Sequence, residues 1–298
     1  MSKARALVTG VKGFTGRYVA AELQRYDWEV WGVGTAPDSQ DANYRCVDLL
    51  DVSGLRQVIE DVRPDVVVHL AAIAFVGHGE VDAFYRVNLL GTRNLLAVLA
   101  SVENKPSCIL LASSANVYGN STPGVLTEAT APNPANDYAV SKLAMEYMAR
   151  LWMDRLPIII ARPFNYTGLG QSEDFLLPKM AAHFRRGAKT IQLGNVDVWR
   201  DFSDVRGVAE AYRRLIQVCP AGVTVNICSG RTHSLREVLE MMERISGNTL
   251  DVEINTALIR SNEVRSLHGS NELLKKIIGT WEMPVLESTL HWMLEGGA

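Results

Sequence analysis

The sequence predicts an α/β chain built on a doubly wound parallel sheet, followed by a smaller α/β unit. Short apolar runs alternate with segments of helical periodicity over the first half of the chain. Those runs are nearly unbroken in valine, isoleucine and leucine, the pattern of strands buried on both faces. The first of them ends in spaced glycines that lead directly into a helical pattern.

In chain order, "ARALVTG" is a short apolar run ending in glycine, the first strand. "GFTGRYVAAELQRYDW" has helical periodicity, and "EVWGVG" is the second strand. "VSGLRQVIEDV" forms a helix, and "PDVVVHLAA" a strand started by proline. A long helix is expected over "EVDAFYRVNLLGTRNLLAVLASVEN", then the strand "SCILLASSA", a helix from Tyr138 and the strand "PIIIARP". Strands alternating with helices in this way make βαβ units, with helices on both faces of one sheet. After Pro163 a loop with Gly168 and Gly170 leads to a helix near Phe175 to Arg186. "SDVRGVAEAYRRLIQV" and "TVNICSG" return a helix and a strand to the sheet. "SLREVLEMMERISG" carries Ser234 and Glu237 in capping-box register, with Gly247 as its stop. Short helices near "NELLKKII" and "LESTLHWML" close the chain. The expected division is 1–164 with 201–228 as the nucleotide-binding domain, and 165–200 with 229–298 as the second domain.

The 298 residues allow a substantial core. With 47% hydrophobic and 21% charged residues and a net charge of −3, nothing points to nucleic acid or a membrane as partner. Arg185-Arg186 and Arg213-Arg214 read as solvated helix faces. The longest apolar stretch, from Val66, is too short to span a bilayer and contains His69. Lys12 and Arg17 break the N-terminal apolar run, which argues against a signal peptide. Cys46, Cys108, Cys219 and Cys228 have no metal or disulfide spacing. A cytoplasmic protein without a metal site is the expectation.

"VTGVKGFTGR" places Gly10, Gly13 and Gly16 between strand and helix. Gly10 permits the tight turn, Gly13 the approach of a pyrophosphate, and Gly16 close packing of helix on sheet, with the helix N-terminus facing the phosphates. A dinucleotide is therefore expected on a Rossmann-type sheet, cradled by Gly10, Lys12, Gly13, Phe14, Thr15 and Gly16. The acidic residue that usually ends the second strand of NAD sites is missing at Gly34-Thr35, and the next carboxylate is Asp38. Lys12 could instead face a 2′-phosphate or be solvated, which leans the choice toward NADPH with NADH possible. Asp48, beside Leu49, is placed to meet the adenine edge or to cap the next helix. Leu70, Ala71 and Ala72 complete the expected cofactor wall.

The glycine loop, "HLAA", "SSANVYG" and "YAVSK", in that order and spacing, resemble the extended short-chain dehydrogenase/reductase family over essentially the whole chain. The resemblance implies that Tyr138 is the proton donor to a carbonyl receiving hydride, since that oxygen needs an acid. Free tyrosine titrates near ~10, and a cationic Lys142 one turn along would lower that value. Lys142 would also bind the nicotinamide ribose. Ser114 matches the serine or threonine that holds the same oxygen, with Ser113 as fallback. Asn88 could support the site, though helix packing is the plainer role. Such proteins often dimerise through two helices per subunit, so a homodimer or homotetramer is expected.

Within that family, dehydratases carry acidic residues where this chain has Ala115-Asn116, and epimerase-reductases carry a cysteine at Ala115, so both reactions are disfavoured. "ARPFNYTGLGQ", "GNVDVWRDFSDV", "VNICSG" and "IRSNEVRSLHGS" are similar to the GDP-4-keto-6-deoxy-D-mannose reductases, which form GDP-D-rhamnose. That likeness implies a GDP-sugar substrate, with Asn165 and Arg200 on its diphosphate and Arg260 and Glu263 at the nucleotide end. Guanidinium forks suit a diphosphate and a carboxylate suits a ribose diol. Phe75 would line the sugar pocket or sit in the core, and His78 has no counterpart. A 4-epimerase with tightly held NAD, or a reductase of a GDP-4-keto-heptose or dTDP-4-keto sugar, stays open. So does a regulatory protein that only binds NADP, against which the retained Ser114, Tyr138 and Lys142 argue.

Overall fold

The structure is a computed structural model and describes residues 3–74, 80–119, 124–258 and 264–296. The apolar runs become parallel strands: β1 (Arg5–Thr9), β2 (Glu29–Gly34), β3 (Tyr44–Cys46), β4 (Val66–His69), β5 (Cys108–Ala112) and β6 (Ile158–Pro163). With the strand Thr224–Ile227 they form a seven-stranded sheet in the order Thr224–Ile227, β6, β5, β4, β1, β2, β3. Every neighbouring pair is parallel. The unbroken apolar character follows from helices on both sides. Leu7, Val67 and Ile109 point to one core, shared with α2 (Val52–Val62) and the helices Thr92–Ser101 and Asp137–Arg150. Their neighbours Val8, Val68 and Leu110 point to the other, shared with α1 (Phe14–Arg25) and the helix Val205–Val218.

Strand order reverses between β1 and β4. In open α/β sheets the crevice at the carboxyl ends of the strands, beside such a reversal, is where ligands bind. Here the residues after β1, β4, β5 and β6 converge on one cleft. His69 cross-ties the strands beneath it. Thr9 Oγ1 accepts from the Leu70 and Ala71 amides and so donates to His69 Nδ1 at 2.7 Å. Thr92 Oγ1 donates to the Asn88 carbonyl and so accepts from Nε2 at 2.8 Å. Burial first, and the Lys142 charge second, push His69 down to about 3, so it is a neutral strut.

Beyond β6, Asn165–Thr167 pairs with Trp199–Asp204, which also pairs with Thr232–Ser234 and Ser266–Leu267. A third core gathers Met180, Phe184, Val238, Met242 and Leu290. The capping box forms: Ser234 and Glu237 exchange bonds of 2.8 and 3.1 Å, and Gly247 ends the helix at φ +69°. Leu274 and Trp281 join the core on the α1 face of the main sheet.

Several local expectations are corrected. The helix expected over 80–104 is α-helical at Val81–Ala83, π-helical at Phe84–Gly91 and α-helical again at Thr92–Ser101. The widened stretch carries Asn88, whose amide clamps the Ile73 backbone at 2.9 and 3.1 Å and reaches Ser141 at 3.0 Å. π-turns are short and recur at functional sites. The strand expected over 107–115 stops at Ala112, because Ser114 turns the chain by accepting from the Asn116 amide. Asp51, not Asp48, caps α2. Arg213 is not solvated: it is buried, bonds Glu22 of α1 at 2.7 Å and lies 3.6 Å over the Tyr26 ring.

Candidate active site

Gly10 sits at φ +70°, and a Cβ there would stand 2.9 Å from the Ala71 backbone. A Cβ at Gly16 would run into the Gly10 carbonyl oxygen and stand 2.6 Å from Val11 Cα. Both positions therefore require glycine, and the turn they build leaves α1 without a side-chain cap at its N-terminus. Uncapped amides at the start of a helix suit phosphate.

The cleft above this turn has a volume of about 450 Å³. Gly10, Gly13, Phe14, Thr15 and Gly16 form one wall, and Leu70 and Ala72 another. Ser114, Tyr138 and Lys142 line it as well, together with Asn165. The remaining cofactor candidates lie apart from it. Ala71 packs behind Gly10, and Leu49 is buried against Gly91. Asp48 is exposed and accepts from the Leu50 amide at 2.9 Å. Lys12 pairs with Asp38 at 3.1 Å and lies 3.9 Å over the Tyr44 ring. Its hydrogen bond is the main reason the Asp38 carboxyl sits below the usual range.

Asn136 caps the Asp137–Arg150 helix through the Ala139 amide, which fixes where Tyr138 and Lys142 start their turn. Tyr138 and Lys142 are 7% and 5% exposed. Lys142 Nζ donates to the Ala112 carbonyl at 2.7 Å, at the very end of β5. Burial pushes Tyr138 up to about 12, against the pull of a hydrogen bond with Ser114, and nearby Tyr166 adds to the rise. Lys142 is not among the groups that set this shift: burial strips the phenolate of its water, and the hydroxyl keeps its proton at neutral pH. Burial also brings Lys142 down to about 8, with Glu146 opposing. The fallback Ser113 also borders the cleft, but its hydroxyl is committed to Glu146, to which it donates at 2.5 Å.

Arg200 does not line the cleft. Its guanidinium donates to the carbonyls of Trp199, Val264 and Arg265, tying two strands together. Phe75, His78, Arg260 and Glu263 lie outside the described residues. Sequence reasoning missed Tyr166 and Gln171, which line the cleft. Tyr166 bonds Thr15 across 151 positions at 2.7 Å, and nothing local in "FNYTG" marks that contact. It also missed the ion pair of Glu146 with Arg162, for which a charged residue inside the apolar run "PIIIARP" was a signal. No cluster of metal-ligating side chains occurs among the described residues, and no described helix is long and apolar enough to cross a membrane.

The sequence model of the NAD dependent epimerase/dehydratase family matches residues 6–228. The chain belongs to that family. The family's nicotinamide dinucleotide fits the glycine turn and uncapped helix start found here. A GDP-6-deoxy-D-talose 4-dehydrogenase of Aggregatibacter actinomycetemcomitans is 33% identical, over 92% of this chain and 91% of that one. A GDP-6-deoxy-D-mannose reductase of Pseudomonas aeruginosa is 34% identical, over the same shares. Among solved structures, RMD from Pseudomonas aeruginosa complexed with NADPH is 31% identical with a TM-score of 0.85. That match covers 99% of this chain and 97% of the other.

Proposed function

We propose that the protein reduces the C4 carbonyl of a nucleotide-linked 4-keto-6-deoxy sugar, GDP-4-keto-6-deoxy-D-mannose first among them. The bound nicotinamide supplies the hydride. Tyr138 donates the proton to the sugar oxygen, and the Ser114 hydroxyl holds that oxygen in place. Lys142, as an ammonium, orients the cofactor ribose beside Tyr138. The observation that carries the reading is Tyr138 buried and protonated against Ser114, since a carbonyl being reduced needs an acid and not a phenolate. Similarity to two enzymes named for GDP-6-deoxy sugars supports the nucleotide and the sugar. Asn165 lines the cleft and is exposed there, which supports giving it the diphosphate. Arg200, Arg260 and Glu263 complete the nucleotide end in this proposal, and Phe75 the sugar pocket.

The test is NADPH oxidation, followed by absorbance, with freshly prepared GDP-4-keto-6-deoxy-D-mannose. Turnover giving a GDP-6-deoxyhexose supports the reading. Protein that purifies with stoichiometric NAD and interconverts sugars without reductant would replace it with a 4-epimerase. Ser114→Ala should lower kcat by about 10²-fold, the scale of one lost oxyanion donor. Unchanged kcat would remove Ser114 from the mechanism.

NADPH preference rests on Lys12, whose ammonium sits where the glycine turn meets the loop after β2 and would exchange Asp38 for a 2′-phosphate. Lys12→Ala should cost about tenfold in kcat/KM for NADPH, the scale of a charge-assisted hydrogen bond, and leave NADH nearly unaffected. Equal losses with both cofactors would refute that assignment. A homodimer is supported by Val140, Tyr147 and Leu151, which are exposed along the Tyr138 helix, Leu151 at 79%. A monomer by analytical ultracentrifugation would rule it out.

A further inference from the structure

Glu146 and Arg162 are 0% and 2% exposed, and they sit directly behind the reaction centre. Glu146 lies one helical turn beyond Lys142, as Lys142 lies beyond Tyr138. Its Oε1 accepts from Ser113 Oγ at 2.5 Å and from Arg162 Nε at 2.9 Å, and its Oε2 from Arg162 Nη2 at 2.6 Å. Arg162 Nη1 continues to the Tyr118 hydroxyl at 2.9 Å, which donates to Asn226 at 2.7 Å. A buried ion pair is a weak source of stability, because desolvating both charges offsets most of their attraction. This one touches the active site twice, through Ser113 next to Ser114 and through its charge beside Lys142.

We propose that Glu146 is a positioning residue that keeps Lys142 an ammonium and, through Ser113, fixes the strand end bearing Ser114. The inference rests on the roles given above to Ser114 and Lys142, but its decisive readout needs no substrate. The groups facing Lys142 are few. Its own helix carries Tyr138 and Glu146 one turn to either side, β5 presents the Ala112 carbonyl and β4 the neutral His69, while Arg162 of β6 is linked to it only through Glu146. Burial draws Lys142 down to about 8, and the Glu146 carboxylate is the charge that resists.

The sign of each substitution follows. Glu146→Gln removes the favourable charge and leaves Arg162 bare, so Lys142 loses its proton at lower pH. Arg162→Gln leaves the carboxylate unshared, so Lys142 holds its proton to higher pH. The experiment follows the Cε resonance of Lys142 by NMR in protein labelled with ¹³C-lysine and without substrate, assigned with Lys142→Arg. The midpoint is expected to fall by about one pH unit in Glu146→Gln and to rise by a similar amount in Arg162→Gln, the scale of one neighbouring charge. The high-pH limb of kcat/KM should follow both. If either single variant fails to fold, Glu146→Gln with Arg162→Gln, which buries no net charge, carries the decision with a midpoint below wild type. A pair that only packs would lower Tm and rate at every pH and leave the midpoint where it is; that result overturns the proposal. A moving midpoint without turnover of any 4-keto sugar would sink the substrate reading and leave this one standing.

Discussion

Tyr138→Phe is expected to lower kcat for the 4-keto sugar by about 10³-fold, within the range contributed by a positioned general acid. Only the hydroxyl is lost. The ring sits among buried neighbours, with Phe84 edge-on at 6.0 Å, so phenylalanine keeps the packing and the fold. Cofactor affinity, read by quenching of protein fluorescence, should hold, because Lys142 and the glycine turn are untouched. Since burial and not a nearby cation sets the proton affinity of Tyr138, the defect should be similar from pH 6 to pH 8. Near wild-type kcat in this variant would show that the proton comes from elsewhere.

Gly16→Val has the other large effect, on binding and not on the chemical step. The new Cβ meets backbone on the far side of the turn, Gly10 O and Val11, and backbone cannot swing away as a flexible side chain does. The helix start must separate from β1, which displaces the amides offered to the pyrophosphate. A cost of about 1–3 kcal/mol from overpacking alone corresponds to roughly 5- to 150-fold in the cofactor dissociation constant. Calorimetric titration with NADPH checks this, and a circular-dichroism melt separates lost binding from lost folding. An unchanged dissociation constant would mean that the dinucleotide does not use this turn.

What was legible in the sequence is what neighbouring residues decide among themselves. Strand and helix alternated as the buried valine and isoleucine runs required, and the glycine turn declared itself by three glycines spaced three apart, Gly10, Gly13 and Gly16. Tyr138 and Lys142 share a helix face by spacing alone, and the structure brings both to the cleft with Ser114. The unread parts depend on distant partners. Asn88 sits in a π-helical turn whose amide reaches Ile73 and Ser141, 15 and 53 positions away. The charge of Arg162 is answered by Glu146, 16 positions back, across the sheet face. Arg200 also reaches carbonyls 64 and 65 residues on, contacts that no local pattern in the sequence marks. Asp48 is a plausible cap in "VDLLD", and the turn geometry gives that place to Asp51. The upward push of burial on Tyr138 went unread for a related reason: proximity in a helix is visible in sequence, whereas the depth at which both residues are buried is not.

The central claim is that hydride passes from the nicotinamide to C4 of a GDP-linked 4-keto-6-deoxy sugar. It is tested most directly with NADPH carrying deuterium at the transferable C4 position and the product examined by mass spectrometry and NMR. The account predicts one deuterium per product, located at C4 of the hexose, with one NADPH consumed. Product formed without deuterium, or turnover without NADPH consumption, would contradict it.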